Sequence, residues 1–277
     1  MRHFIRLTDI ALPDLKEIFS MADGLHEWDS SLENKSVVLF FPQSSIRTRV
    51  AFEKGIALMG GQSVLFTSDA LDKKEEIKDV IGYLNNWADL IIVRHNNLSL
   101  IEKMAENSNV PVINAMTNEN HPCEILSDLY SLSKLREDFL HLQYTFVGRN
   151  GNIGKAWFEA AQAFSLRFRQ CCPAGGGYEI ANAVVTNNLS EAMTGSDIVL
   201  TDSLHPNALS DFLPYQITLG AMRKANEAAL LNPCPPFYRG EEVSKDAVDS
   251  PHFVGYEFKK SLLAVQQALI KFTLSAS

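Results

Sequence analysis

Pro42-Gln-Ser-Ser-Ile-Arg-Thr-Arg-Val50 stands between two contrasting runs. Before it, Ser36-Val-Val-Leu-Phe-Phe41 is short, apolar and reads as a buried strand. After it, as far as Gly60-Gly61, Ala51, Gly55 and Leu58 recur on one helical face with Phe52, Ile56 and Met59 beside them. Ser44, Ser45, Ile46, Arg47, Thr48 and Arg49 therefore sit where a strand turns into a helix. Unpaired backbone N–H groups and the positive helix end gather at such a corner, which attracts anions. Two arginines and several hydroxyls are the groups that a phosphate oxyanion needs. The same residues also make an ordinary capped helix start with solvated arginines.

Two further segments share the pattern. Leu90-Ile-Ile-Val-Arg94-His95 is an apolar strand ending in a cation. Val110-Pro-Val-Ile-Asn114 is strand-like, and His121-Pro-Cys-Glu-Ile-Leu-Ser-Asp128 after it opens an amphipathic helix with Ile125, Leu129 and Leu132 on one face. Arg47, Arg94 and His121 thus all fall just past the carboxyl ends of predicted parallel strands, the edge where open α/β sheets bind ligands.

Together these residues resemble the aspartate/ornithine carbamoyltransferase family. Its phosphate signature Ser-Thr-Arg-Thr-Arg stands here as Ser45-Ile46-Arg47-Thr48-Arg49. Its His-Pro-(Cys/Thr)-Gln signature, followed by Leu-x-Asp, stands as His121-Pro122-Cys123-Glu124 with Leu126 and Asp128. The start, Arg2-His-Phe-Ile-Arg-Leu-Thr-Asp9, is similar to the ornithine-type amino terminus. Arg239-Gly-Glu-Glu-Val243 resembles the late Arg-Gly-x-Glu-Val of the family. Leu71-Asp-Lys-Lys-Glu-Glu-Ile-Lys-Asp79 resembles the loop that a neighbouring subunit lends to the active site, with Lys73 or Lys74 reaching the phosphate. Solvated surface lysines are the plain alternative there.

Composition agrees. Apolar residues at 46% and charged residues at 21% describe a soluble globular chain. With 33 acidic against 25 basic residues the net charge is −8, which argues against nucleic acid or an anionic membrane as partner. A small anion then needs a local basic pocket. The charged start and the lack of a long apolar run predict neither a signal peptide nor a membrane span. The four cysteines, Cys123, Cys171, Cys172 and Cys234, show no disulfide-framework or zinc-ribbon spacing, so a reducing cytoplasm is expected. A metal site of His121, Cys123 and Cys234 is conceivable, with buried thiols as the alternative; no metal and no cofactor is expected.

Strand-like and helix-like segments alternate almost throughout. Strands are predicted near 36–41, 62–67, 89–94 and 110–113, then at 144–147, 166–171, 198–201 and 228–231. The pattern implies an α/β fold of two doubly wound lobes with mainly parallel sheets. The expected domains are 1–135 with a final helix at 258–277, and 136–257. The last helix carries Leu262, Val265, Leu269 and Phe272 on one face; the resemblance implies that it crosses back onto the first lobe. The second lobe opens with Gly148-Arg-Asn-Gly151-Asn-Ile-Gly154. As a dinucleotide fingerprint, and hence a sign of an NAD-dependent oxidoreductase, its glycine spacing departs from the Rossmann pattern. The family offers Gly-Asp-Gly-Asn-Asn-Val, whose second Asn, a substrate contact, aligns with Asn152; a helix cap is the other reading.

The resemblance implies that an amine attacks the carbonyl carbon of carbamoyl phosphate, with positioning and oxyanion stabilisation as the whole of catalysis. Ser45, Ile46 (through its N–H), Arg47 and Thr48 would cradle the phosphate. Thr48, Arg94 and His121 would point at the carbonyl oxygen; for His121 the alternative is a plain helix start. Several positions depart from the family. Glu124 replaces the Gln that binds the carbamoyl NH2, and a carboxylate so near a phosphate calls for a different donor or for protonation. Asn232-Pro-Cys234-Pro235-Pro236 replaces His-Cys-Leu-Pro, so the anchoring carbonyl would be that of Pro235. Asp-x-x-x-Ser-Met-Gly reads Asp202-Ser-Leu-His205-Pro206-Asn207-Ala208, and the late Arg falls near Lys260 or Leu262. Asn152, Asp202 and His205 are the candidate acceptor contacts. The expected function is carbamoyl transfer to an amine that is neither ornithine nor aspartate, or alternatively a non-catalytic relative that keeps the fold. A homotrimer with shared sites is expected from the resemblance alone.

Overall fold

The computed structural model describes residues 1–25, 29–177 and 184–275. The chain forms two compact units, Met1–Leu135 with Lys259–Ser277, and Arg136–Phe258.

In the first unit, α1 (Leu12–Asp23) precedes β1 (Ser36–Phe40), α2 (Arg47–Leu58), β2 (Gln62–Phe66), α3 (Ile77–Leu84), β3 (Leu90–Arg94), α4 (Leu98–Asn107), β4 (Val112–Met116) and α5 (Pro122–Leu135). The sheet runs β2-β1-β3-β4, all parallel. Strands covered on both faces must be apolar along their whole length. Val37 to Phe40 in β1 and Leu90 to Val93 in β3 are accordingly all buried. β2, at the edge, leaves Val64 and Phe66 exposed. Phe4 adds a parallel bridge beside β4, its N–H donating to Val112 O at 2.9 Å.

The order reverses between β1 and β3, which lie side by side with Leu39 opposite Ile92 and Phe40 opposite Val93. Chains leaving these two strands pass to opposite faces of the sheet, and a crevice opens between them. The cationic segments Ser45–Arg49 and Arg94 are the continuations of those two strands.

The second unit holds β5 (Gln143–Val147), α6 (Asn152–Phe164), β6 (Arg167–Cys171), β7 (Val184–Thr186), α7 (Leu189–Met193), β8 (Ile198–Thr201), α8 (Leu209–Phe212), α9 (Leu219–Met222), β9 (Leu230–Pro233) and α10 (Lys245–Val248). Its sheet runs β7-β6-β5-β8-β9, again parallel, and reverses between β5 and β8. The three-residue β7 is absent from the sequence reading; it is too short and too exposed to show a period.

The final helix, α11 (Leu262–Leu274), belongs to the first unit and packs on α1, α2 and α5. Gly55 permits the approach of α2. A Cβ there would meet Gln267 Cγ at 3.0 Å, and Gln267 Nε2 donates to the Gly55 carbonyl at 3.3 Å. Among the described residues no helix is long and apolar enough to cross a membrane.

Candidate functional site

The crevice of the first unit gathers the groups that the sequence singles out. Ile46 caps α2 and is exposed, while Ser45 and Thr48 are buried. Arg94 Nη1 donates to Ser45 Oγ at 3.1 Å, which ties the end of β3 to the loop after β1. Among the described residues, neither Arg47 nor Arg94 is paired with a carboxylate, and Arg47 is exposed. Burial, and then the charge of Arg47, loosen the hold of Arg94 on its proton, with Glu124 opposing. Two adjacent guanidiniums repel one another, and an anion bound by both relieves that repulsion.

His121 sits immediately before α5 and is buried, with Nδ1 lacking any hydrogen-bond partner. Burial, helped by the charges of Arg94 and Lys259 and opposed by Glu124, pushes its pKa down to about 4. The ring is therefore neutral at pH 7, with one nitrogen able to donate and the other to accept. Cys123 donates its thiol to Asn114 O at 3.3 Å, and burial pushes its pKa up. A thiolate ligand there is disfavoured.

Glu124 lies three residues beyond His121 on the first turn of α5. Its carboxylate accepts from Lys259 Nζ at 2.8 Å, and the same ammonium donates to Asp128 Oδ1 at 2.6 Å. Burial is the largest influence and opposes ionisation of Glu124, but the charge and hydrogen bond of Lys259 together with neighbouring positive charge outweigh it, and the net shift is downward. His121 is neutral at pH 7, so the counter-charge is chiefly that of Lys259. Of the two expectations for Glu124, a different donor or protonation beside a phosphate, the structure bears on its charge alone: it is an ion-paired carboxylate. Lys259 escapes the sequence reading, which sought the late cation near Lys260 or Leu262. It stands one residue before Lys260 and three before the start of α11, and only a misfit at Glu124 hinted that a cation was required.

In the second unit a cavity of about 330 Å³ lies at the reversal point between β5 and β8. It is lined by the loop Gly148–Gly151 and by Asp202, Ser203, Leu204, His205, Asn207 and Ala208. Gly148 is required there, because a Cβ would press on the Phe146 ring at 2.8 Å. Asp202 and His205 therefore reach one cavity. His205 Nδ1 accepts from Asn207 N at 3.3 Å, which leaves Nε2 as the protonated nitrogen of the neutral ring. Asn152 is the first residue of α6 and does not line this cavity. Arg149 lines it instead, donating to Asp211 at 2.8 Å and lying over the Phe212 ring. Its signal was an arginine in the place of an aspartate in the family loop. Pro235 follows β9, half-buried, in this unit. Lys73 and Lys74 are exposed in the first unit, just after Leu71. Their loop is tied down by Asp72, which accepts from His95 Nε2 at 3.0 Å; the other nitrogen of that ring takes the Asn97 N–H.

Residues 2–134 match the carbamoyl-P binding domain of the aspartate/ornithine carbamoyltransferases, and residues 141–273 match the Asp/Orn binding domain. An ornithine carbamoyltransferase of Methylococcus capsulatus is 32% identical over 295 residues, covering 99% of this chain and 99% of the relative. The crystal structure of the ornithine carbamoyltransferase of Burkholderia thailandensis superposes with a TM-score of 0.91 at 28% identity, covering 99% of both chains. An N-acetyl-L-ornithine transcarbamylase mutant, complexed with carbamyl phosphate and N-succinyl-L-norvaline, shares the fold with a TM-score of 0.86 at 22% identity, covering 99% of this chain and 100% of its own.

Proposed function

The chain belongs to the aspartate/ornithine carbamoyltransferase family and is a carbamoyltransferase, and we propose that it carbamoylates the amine of an amino acid or related small amine other than ornithine or aspartate. The observation that carries this reading is the acceptor-side cavity. His205, Asn207 and Ala208 line it where the ornithine pattern has Ser-Met-Gly, whereas Asp202 remains. A carboxylate suits an ammonium group of the acceptor, and His205 Nε2–H and Arg149 suit a carboxylate or another acceptor oxygen.

The donor would bind with its phosphate at Arg47, Ser45, Thr48 and the N–H groups opening α2. Its carbonyl oxygen would face Arg94 and the neutral His121, whose N–H polarises without surrendering a full proton. The amine nitrogen bonds to the carbonyl carbon, the carbon–oxygen bond to phosphate breaks, and the amine proton leaves with the phosphate as hydrogen phosphate. The products are a ureido compound and inorganic phosphate. Exposed Lys73 and Lys74 suit a contribution to the site of a neighbouring copy in a homotrimer.

Incubation with carbamoyl phosphate and a panel of amino acids and polyamines, read by phosphate release and ureido formation, tests the reading. Turnover with one panel amine at least tenfold more efficient than with ornithine or aspartate is expected. Efficient turnover of ornithine would overturn it.

A further inference from the structure

We infer that Lys259 is a positioning residue of the donor site, clamped between Glu124 and Asp128 so that the Glu124 carboxylate is presented as an acceptor, and only an acceptor, to the N–H groups of the carbamoyl end. The inference rests on the carbamoyl-donor reading above.

Three features carry it. First, Glu124 and Asp128 are one turn apart on α5, so both face the same way, and Lys259 reaches them from a segment 135 and 131 residues later in the chain. Such a long-range clamp fixes a side chain that would otherwise choose among rotamers. Second, all three groups are largely buried: the side chains of Lys259, Glu124 and Asp128 are 20%, 10% and 2% exposed. Buried charges persist only when paired. Third, the charges are laid out with a polarity. Arg47 and Arg94 stand with the hydroxyls at the end suited to the phosphate, and two carboxylates share one ammonium on α5.

A carboxylate differs from an amide in the information it reads. Glutamine offers a carbonyl and an NH2 and can flip; an ionised carboxylate offers oxygens alone. Ionised Glu124 therefore accepts the N–H groups of a carbamoyl donor and repels its carbonyl oxygen, which turns toward Arg94 and His121. Without Lys259 the buried carboxylate would face a phosphate as a like charge and would take up a proton. A protonated carboxyl can donate to the carbonyl oxygen, and the discrimination would be lost.

Acetyl phosphate is the probe, because it keeps the phosphate and the carbonyl and replaces the NH2 by a methyl. Affinities for carbamoyl and acetyl phosphate are measured by calorimetry from pH 6 to 9. Lys259→Met should lower the carbamoyl-over-acetyl preference about 10- to 100-fold, the range for a charge-assisted hydrogen bond. It should also bring a new ionisation into the pH profile of carbamoyl phosphate affinity. Lys259→Arg should keep the preference within fivefold. The triple variant Glu124→Gln/Asp128→Asn/Lys259→Met removes all three charges of the clamp, leaves neither carboxylate orphaned, and should abolish the new ionisation while recovering the preference only in part, because an amide can flip. An unchanged preference in Lys259→Met, or a triple variant that keeps the new ionisation, overturns the inference. A wild-type protein with no preference for carbamoyl over acetyl phosphate would instead bring down the donor reading, and the inference with it.

Discussion

Replacing Arg94 by methionine should move stability and donor binding in opposite directions. Arg94 ends β3 partly buried, its one hydrogen bond goes to a neutral hydroxyl, and no carboxylate pairs with it among the described residues. Burial and the Arg47 charge act against its cationic form. To the fold this guanidinium is a net cost, of the order that separates a partly buried, unpaired cation from an apolar isostere, about 1 kcal/mol. Methionine fills the space of the stem without the charge. Unfolding followed calorimetrically in phosphate-free buffer should show Tm rising by roughly 2–4 °C. Donor binding should suffer: one charge-assisted hydrogen bond to an oxyanion is worth about 1.5–3 kcal/mol, so carbamoyl phosphate affinity should fall about 10- to 150-fold. The turnover number should drop by a further factor of about 100 if the carbonyl oxygen gains charge against this group. Saturating carbamoyl phosphate should therefore raise Tm in the wild type far more than in the variant. A Tm that falls together with affinity would make Arg94 a structural residue. Affinity preserved within threefold would mean that no anion meets it.

Arg47→Ala, at an exposed position without a partner among the described residues, should leave Tm within about 1 °C yet weaken binding of inorganic phosphate about 10- to 100-fold by calorimetry; unchanged affinity would remove the anion corner from the first unit. Glu242 makes a pH prediction: its Oε1 accepts from Tyr238 N, its buried Oε2 has no partner, and burial, reinforced by Glu241 and Asp202, raises its pKa from 4.5 to about 7. A raised carboxyl pKa contributes stability fully below pH 4.5 and loses it as pH climbs through 7. Glu242→Gln should thus gain on the wild type by about 2 kcal/mol between pH 5 and pH 8, after allowance for water reaching the site, as read from urea midpoints. A stability difference that stays flat over that range would show that the carboxyl is not the titrating group.

The sheets were legible because fully covered parallel strands advertise themselves as unbroken apolar runs. Val37–Phe40, Leu90–Val93 and Ile198–Thr201 are buried along their whole length, and each was placed within a residue or two of its bounds. The polar corner of the first unit was legible for a related reason: polar residues at the end of such a run emerge at the sheet edge, as Arg94 does. The acceptor side was less so. His205 and Asn207 lie in a loop whose short 3₁₀ turn and four-residue helix carry no period. Arg149 lies among glycines that fit several kinds of phosphate or substrate loop. Asn152 was drawn in by alignment of the loop, but as the first residue of α6 it stands outside the cavity.

Glu124 shows most clearly what a linear reading cannot supply. Taken alone, an acidic residue one turn from a phosphate corner looks like damage, because its burial and its charge both oppose the anion. The cost of burying an ion depends on its partner far more than on its neighbours in sequence. Here the partner is a lysine 135 residues away, on the turn that leads into α11. Packing of α11 on α1, α2 and α5 brings that turn to α5, so the compensation exists only once the fold closes. Glu124, Asp128 and Lys259 are a single electrostatic unit, and removing the lysine alone should do more harm than removing all three charges. In a site of this kind the charge of Glu124 is balanced from outside its own motif, and its chemistry has to be read from pairs.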